Sequence, residues 1–192
     1  MTNELPALLN AQEGQLLLQV ARQALVEAVQ EGREWRPDLA SLPPRLQEPG
    51  CSFVTLYTGG SLHGCIGTVV PLRPLALDTA HNAVSAALHD PRFPPLMPDE
   101  LPETTVEVSV LGPMQPISYR DLDDLIAQIK PGRDGVLLRQ GWRRGLLLPQ
   151  VWEQISSPRE FLSHVARKAG LSLQAYGAPD AEVFTFQVQV VS

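Results

Sequence analysis

The chain has 192 residues, a net charge of −6, and 44% hydrophobic and 19% charged residues. This length suffices for one domain or for two small lobes that share a core. Acidic and basic residues are interspersed, which disfavours a broad nucleic-acid-binding surface. No apolar run approaches the ~20 residues that span a bilayer. Met1–Leu9 lacks the pattern of a signal peptide, so we expect a soluble, cytoplasmic protein.

The first half of the chain predicts two helices around a hairpin. In order, the elements are a helix over Glu13–Glu31, a loop over Pro37–Pro49, strands over Cys51–Tyr57 and Leu62–Val70, and a helix over Leu75–His89. Asn10 is the candidate N-cap of the first helix, and Gly32 suits its C-terminal end. Gly59-Gly60 supplies the hairpin turn. The expected core face of the second helix comprises Leu77, Ala80, Val84, Ala87 and Leu88.

The second half predicts two further strands, a second hairpin and two more helices. In order, the elements are a strand over Thr104–Leu111, a helix over Asp121–Ile129, strands over Gly135–Arg139 and Gly145–Leu148, a helix from Ser157 to Ala169, and a strand over Val183–Val191. Strands that come in hairpins pair antiparallel, and the helices do not alternate with them one for one. The fold class is therefore α+β with antiparallel sheets and flanking helices.

The candidate site is the segment Ser61–Thr68, where Cys65 stands between Gly64 and Gly67. A glycine accepts a positive φ or lets another group approach closely, so each could shape the backbone around the thiol. These glycines suggest a bulge or distortion in the strand. His63, two residues before Cys65, would share its face in a regular strand. Thr68 completes the motif.

Two interpretations of Cys65 stay open. It is a nucleophile whose thiolate His63 stabilises, or it is a buried residue that packs as a small hydrophobe. Cys51 is interpreted as structural. A disulfide between the two cysteines is conceivable, but a reduced state is expected.

Three residues outside the motif are candidates for binding. Arg92 lies on a stiff proline-flanked loop, and Glu107 and Ser109 share one face of a strand. Arg92 could pair with Asp90 or with Glu107, which could also act as a base. His63, Cys65 and His89 lack a diagnostic metal-ligand spacing, so no metal is predicted. No dinucleotide or phosphate-loop motif occurs, and no cofactor is predicted.

Five segments in this order resemble the AMMECR family, whose prokaryotic members are called AmmeMemoRadiSam system protein A. They are His63–Thr68, Asp90–Phe93, Glu107–Leu111, Gly145–Val151, and Phe161-Leu162 followed by Lys168–Leu171. The resemblance covers about Leu16–Val190. The chain departs from it at His63, where the family's usual residue is arginine. Because arginine is permanently charged and histidine is often neutral, an anion-binding role for this position is in question.

The resemblance implies a larger and a smaller lobe with a cleft between them. We expect one AMMECR-like domain over 1–192, or two lobes at about 1–114 with 180–192 and 115–179. It also implies a Memo-like protein and a radical S-adenosylmethionine enzyme as partners, with no established reaction. We therefore expect an accessory subunit or adaptor with its functional surface around Leu62–Thr68. The alternative is an enzyme that modifies a small molecule or macromolecule through Cys65.

Overall fold

The computed structural model describes residues 8–192, and the chain divides into two compact units. The first unit holds the described residues up to Leu111 together with Gln189–Ser192, and the second holds Gly112–Val188. Most of the segment compared with a signal peptide lies outside the described residues. Within 8–192, no helix is long and apolar enough to cross a membrane.

The first unit packs helices on one face of a four-stranded antiparallel sheet. Its elements are α1 (Ala11–Glu31), α2 (Pro44–Gln47), β1 (Ser52–Thr58), β2 (Ser61–Gly67), α3 (Leu75–Leu88), β3 (Thr104–Leu111) and β8 (Val188–Val191). The strand order is β2-β1-β3-β8, which places β2 at an edge. Side chains of α1 and α3 form the core with Val54, Leu56 and the valines of β3.

The second unit has its own antiparallel sheet and its own core. Its elements are β4 (Gln115–Ile117), α4 (Leu122–Gln128), β5 (Gly135–Gln140), β6 (Arg143–Leu147), α5 (Pro158–Lys168) and β7 (Ala181–Phe186). The strand order is β4-β7-β5-β6. Phe161, Leu162 and Val165 of α5 pack on Val136 and Leu138 of β5. The two antiparallel sheets with helices confirm the predicted α+β class.

Local sequence explains both ends of α1. The Asn10 side chain accepts the Glu13 N–H at 2.9 Å, and the Glu13 carboxylate accepts the Asn10 N–H at 2.8 Å. This reciprocal capping box satisfies two N–H groups that the helix leaves without intrahelical partners. Gly32 ends the helix with φ +62°, a conformation that costs little without a Cβ. Both predicted caps are confirmed, and the helix starts two residues earlier than predicted.

Two predicted segments differ from the structure. The predicted loop Pro37–Pro49 contains α2, with Pro44 at its first turn, where the missing N–H costs nothing. The predicted strand Val183–Val191 is two strands, β7 and β8, which belong to different sheets. At the break, the Gly112 N–H donates to the Gln187 carbonyl at 2.8 Å. Period-two alternation continues through such a break, because it reports burial of one face and not which sheet is joined.

Candidate functional site

The β2 strand is irregular at His63. Leu56 pairs with Gly64 while Tyr57 pairs with Leu62, so His63 is an extra residue opposite this step. This β-bulge confirms the predicted distortion of the strand. The expectation that His63 and Cys65 share a face applies only to a regular strand, and β2 is not regular at His63. The His63 ring instead stacks near Phe93, with centroids 6.3 Å apart, and its Nε2 is buried without a hydrogen-bond partner among the described residues.

The two motif glycines provide space and do not adopt a special backbone conformation. Neither Gly64 nor Gly67 has a positive φ, so of the two roles considered for these glycines a positive φ is wrong and close approach of another group applies. A Cβ at Gly64 would overlap the Ala86 carbonyl of α3, and one at Gly67 would overlap the Phe53 ring. Glycine is required at 64 because a helix backbone passes directly over β2. At 67, an aromatic ring from the neighbouring strand covers an edge-strand glycine.

The Asp90–Arg92 pair binds the backbone of Cys65. The Cys65 N–H donates to Asp90 Oδ2 at 2.9 Å, and Arg92 Nη2 donates to the Cys65 carbonyl at 3.1 Å. Arg92 also donates to both Asp90 oxygens, through Nη2 at 2.7 Å and Nε at 3.0 Å. An adjacent strand would offer one acceptor and one donor in the same way. The pair therefore closes the edge of the sheet at Cys65, where an open edge invites pairing with another chain.

We call the Asp90–Arg92 pair and its two hydrogen bonds to the Cys65 backbone the clamp. Charge and burial strengthen it. Asp90 is 4% exposed, and the hydrogen bond from Arg92 holds the pKa of its carboxyl well below the usual range. The same hydrogen bond raises the pKa of Arg92. The guanidinium lies 5.3 Å from the centre of the Phe93 ring. Of the two partners predicted for Arg92, the structure places Asp90 in contact with it.

The Cys65 side chain lies on the sheet face opposite the helices. It is half-buried, and the Thr55 hydroxyl donates to its Sγ at 3.3 Å. Thr55 is paired with Cys65 on one side and with Glu107 on the other. Ser109 pairs with Phe53, so Glu107 and Ser109 share this face with Cys65. The sheet thus brings Cys65, Glu107 and Ser109 onto one face. It does not join Glu107 or Ser109 to the Cys65 thiol as an acid–base pair.

Both cysteines are free thiols in different environments. Cys51 is 6% exposed, and burial, with the nearby charge of Asp78, raises the pKa of its thiol to about 11. At neutral pH this group is a neutral, buried thiol. In 8–192, no three His, Cys, Asp or Glu side chains are grouped to hold a metal ion.

Thr68 belongs to a buried polar network that sequence reasoning missed. Its hydroxyl donates to the Asp78 carboxylate at 2.7 Å. Asp78 also accepts from the Ser52 N–H, the Ser52 hydroxyl and the Asn82 amide, at 2.8 to 3.0 Å. The carboxylate, 1% exposed, thus ties α3 to the start of β1 and the end of β2. The sequence signal for this network is a pair of polar residues, Asp78 and Asn82, four positions apart on the buried side of the alanine-rich helix α3.

The predicted core face of α3 is only partly right. Ala80 and Ala87 are buried, but Leu77, Val84 and Leu88 are half-buried. These three line a cavity of about 650 Å³ between α1 and α3, and a second cavity of about 580 Å³ lies beside α1. Cys65 lines neither cavity. The buried face also carries Asp78 and Asn82, which belong to the polar network.

The fold and the clamped, glycine-flanked cysteine define a class of α+β protein with two antiparallel sheets, and comparison with known proteins identifies it. The AMMECR1 family model matches residues 18–191, and the chain belongs to that family. Over 95% of its length it is 41% identical to proteins of Thermofilum pendens and Methanopyrus kandleri, covering 90% and 89% of those chains. It also resembles the crystal structure of an uncharacterised protein from Pyrococcus horikoshii, with a TM-score of 0.86 and 35% identity, over 96% of this chain and 93% of that one.

Proposed function

We propose that this chain is a non-catalytic accessory protein of the cytoplasm that presents the surface around β2 to a protein partner. The observation that carries the proposal is the clamp on Cys65. Its N–H and its carbonyl are both occupied by the Asp90–Arg92 pair, and Gly64 lies under the backbone of α3. The motif residues are thus held in a fixed, tightly packed arrangement, as a binding surface requires.

Exposed apolar side chains at the start of β2 and in the segment that follows it support a docking role. Leu62 is 43% exposed at the start of β2, and Val70 and Leu72 are 37% and 81% exposed in the segment that follows it. The Arg92 side chain, 56% exposed, adds a guanidinium that Asp90 holds in place. We call Leu62, Val70, Leu72 and Arg92 the β2 surface. Apolar anchors together with an arginine are the residue types that dominate protein interfaces.

The resemblance suggests the partners. Prokaryotic proteins of this kind are associated with a Memo-like protein and a radical S-adenosylmethionine enzyme, and we propose these two as the proteins that the β2 surface contacts. An adaptor needs no acid–base arrangement at Cys65, and the His63 ring lies against Phe93 instead.

Binding of each purified candidate partner, taken from the same organism, tests the proposal. We expect Leu72→Glu and Leu62→Glu to weaken binding at least tenfold, because a charge would be buried at the contact. Trp142→Glu is the matched control, since Trp142 is 86% exposed but lies in the second unit. Cys65→Ser should bind like the unmodified chain. Absence of binding to both partners, or loss only in Trp142→Glu, contradicts the proposal.

A thiol-dependent enzyme is the second candidate. The observation in its favour is the Thr55 hydroxyl, which donates to Cys65 Sγ and would stabilise a thiolate more than a thiol. Under this alternative, Cys65→Ser abolishes the effect of the chain on its target while leaving the fold intact. Equal effects of the Ser variant and the unmodified chain exclude it.

A further inference from the structure

The cavity of about 650 Å³ in the first unit has the form of a ligand site. It lies between α1 and α3, under the segment 33–36 that follows α1, and is distinct from the β2 surface. Its volume falls within the range of roughly 300–1,000 Å³ that is typical of small-molecule sites.

The floor of the cavity is an apolar stripe on α3. Leu77, Val84 and Leu88 line it at a helical spacing of seven and four residues, and Trp35 lines it from the segment after α1. Eleven residues of helix separate the first leucine from the last, so the stripe is about 16 Å long. These side chains are half-buried: Leu88 packs against the main core and Val84 against Val20, Ala24 and Ala80, and each keeps an exposed part that lines the cavity. An elongated apolar group would cover them.

The polar lining carries more positive than negative charge. Three arginines, Arg33, Arg36 and Arg73, line the cavity together with one carboxylate, Glu34. Arg33 is bound to Glu27. Arg36 pairs with Glu34 at the surface, where both side chains are about 70% exposed. Such an exposed ion pair contributes little to the stability of the fold.

Arg73 is the best-placed anion-binding group. It directly precedes the N-cap of α3, where the partial positive charge of the helix end adds to its own. The one ion pair that residues 8–192 offer it joins Nε to Asp78 Oδ1 at a loose 3.8 Å. The Asp78 oxygens are already engaged by Ser52, Thr68 and Asn82. The guanidinium therefore has capacity for a second carboxylate.

From the apolar stripe and the arginine at its end, we infer that this cavity binds an elongated amphipathic anion, such as a straight-chain carboxylate. Its carboxylate pairs with Arg73, and its chain lies along Leu77 and Val84 beneath Trp35, with Leu88 left for a longer chain. This inference is independent of the proposed adaptor role, because neither the residues nor the measurement involve the β2 surface.

Calorimetric titration with octanoate tests the inference, with octan-1-ol as the uncharged probe of equal length. We expect saturable binding of one octanoate per chain, at least tenfold tighter than the alcohol. Val84→Trp fills the cavity and should weaken binding at least tenfold. Arg73→Gln should remove the preference for octanoate over the alcohol. Val26→Trp is the matched control, because Val26 lines the neighbouring cavity, and it should leave the affinity unchanged.

A measurement on the unmodified chain covers the case in which a variant does not fold. Octanoate should shift the indole N–H resonance of Trp35 and leave those of Trp142 and Trp152 in place. The inference is overturned by absence of saturable octanoate binding, by equal affinity for the alcohol, by unchanged binding in a folded Val84→Trp variant, or by a Trp35 resonance that does not move.

Discussion

The carboxylate of Asp90 accepts the backbone N–H of Cys65 at 2.9 Å, although the two residues are 25 positions apart. A loop residue thereby holds the central residue of the glycine-flanked motif at the edge of a sheet. Arg92 completes the arrangement through the Cys65 carbonyl. This contact explains why the motif and the Asp90–Arg92 loop act as one structural feature.

Asp90→Ala should destabilise the first unit by about 2–4 kcal/mol. The substitution leaves the Cys65 N–H without its acceptor and removes the partner of Arg92, and an unsatisfied buried group costs ~1–3 kcal/mol by itself. Chemical denaturation measures the loss. Glu34→Ala is the control, because the ion pair of Glu34 with Arg36 is exposed. Equal midpoints for Asp90→Ala and Glu34→Ala would show that the clamp does not stabilise the fold.

The same contact predicts how stability depends on pH. The pKa of Asp90 is lower in the folded chain than in the unfolded chain, because Arg92 and two backbone N–H groups bind the carboxylate. Its contribution is therefore complete above the unfolded pKa of ~3.9, and it is lost as pH falls towards the folded pKa. Asp90→Asn lacks this contribution. The difference in unfolding free energy between the two proteins should shrink from pH 6 to pH 2.5; a constant difference contradicts the assignment.

Gly64→Ala should destabilise the fold more than Gly67→Ala. At 64 the added methyl meets the Ala86 carbonyl in the backbone of α3, whereas at 67 it meets the Phe53 ring, which can rotate. We expect about 2–4 kcal/mol for the first and ~1–2 kcal/mol for the second. In a Phe53→Leu background the cost of Gly67→Ala should fall, while that of Gly64→Ala should not. Denaturation of the two glycine variants, of Phe53→Leu and of the two double variants measures both differences, and the reverse order would contradict the packing argument.

These glycines show how far the sequence predicts the site. Their spacing around Cys65 correctly marks a strand where another group comes close, because only glycine lacks a Cβ. It does not say that the group is the Ala86 carbonyl or the Phe53 ring, since neither neighbour is adjacent in the chain. The same limit applies to Asp78 and Asp90. Arg92 was a predictable partner of Asp90, but the contact of Asp90 with the Cys65 N–H, and those of Asp78 with Ser52 and Thr68, become evident only when α3 and the following loop are packed on β2.

The regular elements were predictable for a simpler reason. Val106, Val108 and Val110 are buried as their alternation predicts, and Asn10 caps α1 as its position predicts. Both signals are local. The division of the final strand at Gln187 is not local, because it depends on which sheet each half joins.

Thr68→Val should lower stability by about 1–2 kcal/mol without changing partner binding. The hydroxyl donates to the buried Asp78 carboxylate, and its loss leaves that charge with fewer donors. Thr105→Val is a suitable control, because Thr105 is an exposed threonine on β3 of the same sheet. Thermal unfolding and a partner-binding titration report the two effects separately. A Thr68→Val variant of unchanged stability that fails to bind would give Thr68 a direct role in binding instead.

Alkylation of the folded chain should modify Cys65 before Cys51. Cys65 is half-buried, whereas burial raises the pKa of the Cys51 thiol to about 11. At pH 8 the Cys51 thiol is therefore almost entirely protonated, and the thiolate is the reactive form. Iodoacetamide and mass spectrometry of the intact chain should therefore show one fast modification, absent from Cys65→Ser. Denatured protein should react at both thiols, and fast reaction at Cys51 in the folded state would contradict its burial.

The effect of His63 on that rate separates the two candidate functions. The His63 ring lies against Phe93, and the hydrogen bond to Cys65 Sγ comes from Thr55. The accessory role therefore predicts that His63→Ala changes the Cys65 alkylation rate less than about twofold and leaves its pH dependence unaltered. A thiol enzyme activated by His63 requires a slower reaction and a higher apparent thiol pKa in that variant. Thr55→Val controls for the donor that does contact the sulfur. If His63→Ala slows the reaction more than Thr55→Val does, Cys65 is activated as a nucleophile and the thiol-dependent enzyme becomes the favoured function.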